Sequence, residues 1–217
     1  MKKTILITVL ALLGLSQAVA QEYEYVPFVR EGVKWVCDDP YSEWGYINHR
    51  YFNLELTGDT VIDNKHYKAM HKYSGEAIDE TNDTVPVFLR EENKIVYAIA
   101  PNGKTYAECP VGMNWWPEAL ETIRSGQEFI LYDFNDPISF IKNNIKYPIE
   151  GSPNGYHVDA VIPDQIVVAG KKVNRYIYHS SCIIEGIGCD GVNCGYPLSA
   201  LSTWLCYVIE NGYTIYT

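Results

Sequence analysis

Residues 51–73, YFNLELTGDTVIDNKHYKAMHKY, decide the fold. Phe52, Leu54 and Leu56 alternate with Asn53 and Glu55, so the three apolar side chains share one face of an extended chain. Gly58-Asp59 breaks the run. Val61-Ile62 leads into Asp63-Asn64-Lys65, a turn, and His66 to Tyr73 returns. Two alternating runs joined by Asn and Asp, which tolerate positive φ, read as a β-hairpin.

The same pattern repeats along the chain. Val85 to Arg90 and Lys94 to Ile99 flank Glu91-Glu92-Asn93, and Phe129 to Phe134 is a short apolar strand. Tyr156 to Val168 and Lys171 to His179 flank Ala169-Gly170; Thr203 to Ile209 and Tyr213 to Tyr216 flank Glu210-Asn211-Gly212. Asn-Gly is a strong two-residue turn signal. One segment differs. Pro117 to Arg124 carries helix formers, with Pro117 fit for a first turn and Gly126 for a stop, so a short helix is expected near 117–125. Ser139 to Tyr147, with isoleucines at 138, 141 and 145, suits either state. Consecutive hairpins without β-α-β alternation predict an all-β chain. The expected architecture is mainly an antiparallel meander, closed as a barrel or folded as a sandwich. Eighteen Tyr and five Trp favour the same class, because aromatic side chains suit a pleated, half-buried surface.

The first twenty residues give an address. Lys2-Lys3, an apolar run from Ile5 to Leu15 and Ala18-Val19-Ala20 make the layout of a cleavable secretory signal. Residues 1–20 are therefore expected to be removed, leaving 21–217 as one domain in the periplasm, on the outer surface or outside the cell. After the signal no run approaches the roughly 20 apolar residues of a spanning helix. Losing Lys2 and Lys3 takes the formal charge from −10 to −12. That balance, with no basic cluster to offset it, argues against nucleic acid and anionic membranes as partners. Cys37, Cys109, Cys182, Cys189, Cys194 and Cys206 all follow the signal. An even set in an exported chain reads as disulfides, with fifteen pairings open. Four of the six fall between Cys182 and Cys206, so local linkage of the C-terminal quarter is expected.

Four ordered segments carry a resemblance. Leu89-Arg90-Glu91-Glu92 with Lys94-Ile95-Val96-Tyr97 resembles an R-E-x-x-G-K-V-Y hairpin. Ile130 to Phe134 resembles an L-L-Y-D-F strand. Ile184-Glu185-Gly186-Ile187-Gly188 matches an I-E-G-I-G turn, and Leu205 to Gly212 resembles an L-L-C-x-x-x-N-G hairpin. Together, over residues 25–217, they resemble a group of secreted β-rich Bacteroidota proteins of unknown function. The resemblance implies export and a β fold and supplies no catalytic residue. Many such relatives carry a C-terminal sorting domain, which a chain ending at Thr217 is expected to lack. Asn135-Asp136-Pro137 also departs from the Gly-Asp that often follows the Y-D-F strand. Proteins of that phylum can be O-glycosylated at Asp-Thr/Ser before an apolar residue. Asp59-Thr60-Val61 and Asp83-Thr84-Val85 match, marking Thr60 and Thr84 near predicted turns.

The candidate chemistry is sparse. Glu185, between Ile184 and Gly186, could work as an acid or base in an apolar turn, or bind backbone N–H groups of that turn. Asp133 could partner it in a glycosidase couple, or face solvent or pin a loop. The five His are scattered, and His66 and His71, five apart, would point to opposite faces of one strand. Neither a metal nor another cofactor is expected. No G-x-S-x-G, H-E-x-x-H, phosphate-loop or dinucleotide motif occurs. Trp115-Trp116, with Trp44, could form a stacking platform for a sugar ring or lipid, or plug the sheet's end. The leading expectation is a non-enzymatic, disulfide-stabilised β domain that binds a small ligand, glycan or protein. The alternatives are a secreted hydrolase acting on glycans and a structural or adhesive surface protein.

Overall fold

The structure, a computed structural model, describes residues 23–43, 46–74, 84–100, 126–144, 146–149, 152–178, 181–191 and 204–217. The strands in chain order are β1 (Val33–Glu43), β2 (Tyr46–Ile62), β3 (Lys65–Tyr73), β4 (Thr84–Glu92), β5 (Ile95–Ile99) and β6 (Phe129–Asp133). A helix, α1 (Pro137–Asn144), comes next. After it run β7 (Lys146–Ile149), β8 (Ser152–His157), β9 (Ile162–Val168), β10 (Lys171–Tyr178), β11 (Ser181–Ile184), β12 (Gly188–Gly191), β13 (Trp204–Glu210) and β14 (Tyr213–Tyr216). The chain is all-β with one short helix among the described residues, and that helix is too short to cross a membrane.

Eight strands form one antiparallel sheet, ordered β14-β13-β1-β2-β3-β4-β5-β6. The β9–β12 strands form a second, ordered β12-β11-β10-β9, and β7 pairs with β8. The large sheet is a meander from β1 to β6, with the last hairpin laid against β1. Three of its hairpins, and that of β9 and β10, close on two-residue turns: Asp63-Asn64, Asn93-Lys94, Asn211-Gly212 and Ala169-Gly170, with φ positive at all eight residues. Such left-handed pairs match the right-handed twist of the flanking strands.

The structure moves several boundaries. Gly58 does not end a strand: β2 continues to Ile62, and the pairing with β3 shifts register between Thr57 and Asp59, a bulge with Gly58 at φ +63°. Glu91, Glu92 and Glu210 belong to strands rather than turns. The run from Tyr156 to Val168 is two strands, since Tyr156 and His157 end β8. The ambiguous stretch becomes α1 because Asp136 caps it, its Oδ1 accepting the Ser139 N–H at 3.1 Å, with Pro137 in the first turn. The helix expected near 117–125 falls outside the described residues.

One core joins both sheets. Trp35, Leu54, Leu56, Met70, Val87 and Leu89 come from the large sheet, and Val173, Ile183 and Ile184 from the small one. Residues 23–30 form a strap between them. Phe28 is fully buried, its ring centroid 5.1 Å from Trp35 and 5.2 Å from Tyr132. The Trp35 indole N–H donates to the Ile187 carbonyl at 2.7 Å, tying β1 to the turn between β11 and β12.

The strongest charged cluster lies on the large sheet. Glu128 accepts from Arg90 through Nε at 2.5 Å and Nη2 at 2.9 Å, from Lys65 at 2.7 Å and from the Tyr67 hydroxyl. The Arg90 guanidinium lies 3.8 Å from the Tyr97 ring centroid. Arg90 is the main reason that the Glu128 carboxyl falls from its ordinary 4.5 to about 2. A carboxylate lowered on folding stabilises fully above its unfolded value, and the contribution is lost as pH falls through the folded one. Acid unfolding of the wild type is therefore expected to steepen between about pH 4.5 and 2. Glu128→Gln should flatten that part of the stability–pH curve, read by urea melts at each pH.

Candidate functional site

The I-E-G-I-G segment builds a clasp rather than an open acid. Glu185 follows β11 and is 1% exposed. Its Oε1 accepts from Asn174 Nδ2 at 3.0 Å and from the Tyr23 hydroxyl at 3.2 Å; Oε2 accepts the Asn174 backbone N–H at 3.2 Å. The Glu185 N–H donates to the Asn174 carbonyl at 3.1 Å. The carboxylate thus completes the β10 edge where β11 has ended and anchors the strap. Burial, then Glu185, pushes the Tyr23 hydroxyl up to about 12. Its partners come from β10 and the strap, not from its own turn.

The rest of the strap is fixed in the same way. Tyr25 donates to Glu91, and burial followed by that bond raises its hydroxyl above the ordinary range. The Val29 N–H donates to Glu91 Oε2 at 2.9 Å. Arg30 donates to Glu210 at 2.7 Å and to the Gly186 carbonyl at 2.6 Å. Lys94 lies 4.8 Å from the Tyr25 ring and 5.7 Å from that of Tyr23. Every one of these groups serves to hold residues 23–30 in place.

Asp133 pins a loop. Its Oδ1 accepts the N–H groups of Asn135 at 2.9 Å and Asp136 at 3.4 Å, which turns the chain from β6 into α1. Neither carboxylate of the glycosidase pair stands open in a cleft. Among the described residues no cluster of three or more His, Cys, Asp or Glu is placed to hold a metal.

A cleft of about 380 Å³ opens where the last strand lies over the small sheet. Ile166 and Val167 of β9 and Arg175 of β10 form one side; Thr214, Ile215, Tyr216 and Thr217 form the other. Arg175 donates through Nη2 to Asp164 across the ladder, where the two are paired, and this raises its pKa. Its Nε is buried without a hydrogen-bond partner. Across the cleft Tyr216 donates to Asp190 at 2.5 Å; burial, then Asp190, pushes that hydroxyl well above its ordinary range. The arrangement offers one unsatisfied donor and an apolar wall, with the Cys182 thiol near both Arg175 and Tyr216.

The residues expected from sequence are distributed differently. Trp44, Trp115 and Trp116 lie outside the described residues, as do Cys109 and Cys194. Cys37 is buried on β1, Cys182 and Cys189 sit on β11 and β12, and Cys206 is on β13. Register sets Ile183 opposite Cys189 and Asp190 opposite Cys182, so Cys182 and Cys189 belong to opposite faces. Thr60 is half-buried within β2, paired with Tyr67 and three residues before the Asp63-Asn64 turn; Thr84 begins β4. Arg175 and Tyr216 were not singled out. A signal for Arg175 existed: Val173, Arg175 and Ile177 share one strand face, which sets a charge among apolar neighbours. Scans of protein-family models, curated proteins and solved structures find no match to the chain, so its candidate site rests on its own geometry.

Proposed function

We propose that the chain is an exported, disulfide-stabilised, non-enzymatic β domain that binds a small uncharged ligand in the cleft between β10 and β14. The observation that carries this reading is the buried Arg175 Nε without a partner beside Ile166, Val167 and Ile215. A buried unsatisfied N–H costs about 1–3 kcal/mol, which a ligand oxygen would recover. The charge is already matched: Asp164 pairs with Arg175, and Asp190 adds a second carboxylate behind Tyr216. An acceptor without charge, such as an amide carbonyl or a sugar hydroxyl, therefore suits the cleft better than an anion.

Two further features favour this over the alternatives. Glu185 and Asp133 are both engaged in holding the fold, which weighs against a hydrolase that uses them. The β9 edge is also poorly suited to strand addition. From the two-residue turn at Ala169-Gly170, alternation directs the outward main-chain groups to Pro163, Gln165 and Val167. Pro163 has no N–H, and Asp164 takes that of Gln165 at 2.6 Å.

The test is a thermal-shift and calorimetric screen of uncharged glycans and amides on the exported chain. Arg175→Met is expected to weaken the best hit at least tenfold, about 1.4 kcal/mol, while melting within a few degrees of wild type. Hits indifferent to Arg175→Met would reject the cleft. A leader retained on the cell-associated chain would reject export.

A further inference from the structure

We propose that Cys37 and Cys206 form a disulfide that ties β1 to β13, the junction between the first and last hairpins of the large sheet. The pairing follows from a bulge. Val36 faces Tyr207 and Cys37 faces Leu205, so Cys206 is the extra residue at the step from Val36 to Cys37, beside Cys37's own partner. Two residues of one strand then face one of the other. Neighbouring antiparallel positions lie about 4.5–5.5 Å apart at Cα, inside the roughly 4.4–6.8 Å that a disulfide spans. The register excludes a direct cross-strand link between Cys182 and Cys189, which lie on opposite faces. The thiols also sense each other: burial first, then Cys206, raises the pKa of Cys37.

Burial assigns the order of events. It raises the pKa of both thiols, but Cys37 is fully buried and Cys206 half-buried, so Cys206 is the thiol that an external oxidant reaches. The Cys206 thiolate attacks the disulfide of an external oxidant, either a disulfide oxidoreductase or oxidised glutathione. One sulfur leaves as a thiolate and the other stays on Cys206 as a mixed disulfide. Cys37 then loses its proton, attacks Cys206 Sγ and expels the second thiol. Two protein thiols are oxidised and one disulfide is reduced to two thiols, the two protons lost by Cys206 and Cys37 ending on the two departing sulfurs. Almost all of the described chain lies between the two residues, so the cross-link closes a very long loop in the unfolded state, where constraint is most stabilising.

The experiment maps the linkage in the purified full domain after equilibration with reduced and oxidised glutathione. Remaining thiols are alkylated after unfolding in acid. Digestion must cut after aromatic and leucine residues, because Tyr176 to Thr217 contains no Lys or Arg and carries four of the six cysteines. The expected species joins a Cys37 peptide to a Cys206 peptide and disappears on reduction. Cys37→Ser and Cys206→Ser should each abolish it and lower Tm by roughly 10 °C, with the double variant no lower than either. Cys37 recovered as an alkylated thiol, or joined to a different cysteine, would overturn the pairing. The mapping uses the wild-type chain, so the result stands even if a variant fails to fold.

Discussion

Glu185→Ala is expected to lower the unfolding free energy by about 3 kcal/mol. The substitution removes one acceptor group from three donors. The Asn174 N–H and Nδ2 would be left part-buried without this partner, and the two losses together should cost about 3 kcal/mol, within the roughly 1–3 kcal/mol range of each buried donor. The Tyr23 hydroxyl is closer to solvent and should lose less. Tyr23 and the parallel bridge from Tyr23 to Lys172 begin the strap, so its first residues should also open to proteolysis. Urea melts with an unchanged m-value would read the energy, and limited digestion the opening. Glu185→Gln keeps one acceptor oxygen and should fall between wild type and alanine. If Glu185→Ala melted like the wild type, the clasp would not be what holds the strap, and an acid with a chemical role would again be the better reading of the I-E-G-I-G turn.

The second large effect concerns the glycines of that turn. Gly186 sits at φ +74°, and a Cβ placed there would lie 2.6 Å from Val26 Cγ1 and 3.0 Å from the Val26 carbonyl oxygen. Gly188, at φ +91°, would place a Cβ 2.7 Å from the Phe28 ring. Gly58 has a similar φ of +63° with nothing within 4 Å. Alanine at Gly58 therefore reports the left-handed penalty alone, about 1–2 kcal/mol. Alanine at Gly186 adds displacement of the strap backbone and should cost about 2–4 kcal/mol in all. The comparison separates conformational strain from close approach. Equal losses at Gly58 and Gly186 would mean that Val26 moves aside cheaply and that the strap is loosely held.

Both predictions concern one design feature. Among the described residues the small sheet does not pair with the large one. The strap bridges them: Tyr23 and Glu24 join the edge of β10, Phe28 enters the core beside Trp35, and Arg30 reaches Glu210 on β13. Residues that look like a reactive acid followed by two flexible glycines are there because a main-chain segment passes close by. The binding proposed above uses a surface that the clasp does not. The cleft under β14 is such a surface, with Arg175 unsatisfied at Nε.

The all-β class and the hairpins were set locally, and the sequence by itself determined them. Alternation at period two and short turns of Asn, Asp and Gly are properties of adjacent residues, so Phe52, Leu54 and Leu56, or Asn211-Gly212, carry their structure wherever the strands end up. Even there the ends shifted: Gly58 absorbs a bulge, and Asn93-Lys94 turns with Glu91 and Glu92 kept in the strand. The tertiary structure alone decided which residues meet. Glu185 finds Tyr23 across 162 positions, and the cleft joins β9 and β10 to a strand about forty residues later. Such meetings depend on how two sheets and a strap bury a common core, and that burial is non-directional: it rewards apolar area covered, whichever distant segment covers it. Periodicity names the face of a strand that will be buried, while only the packed chain names its neighbour.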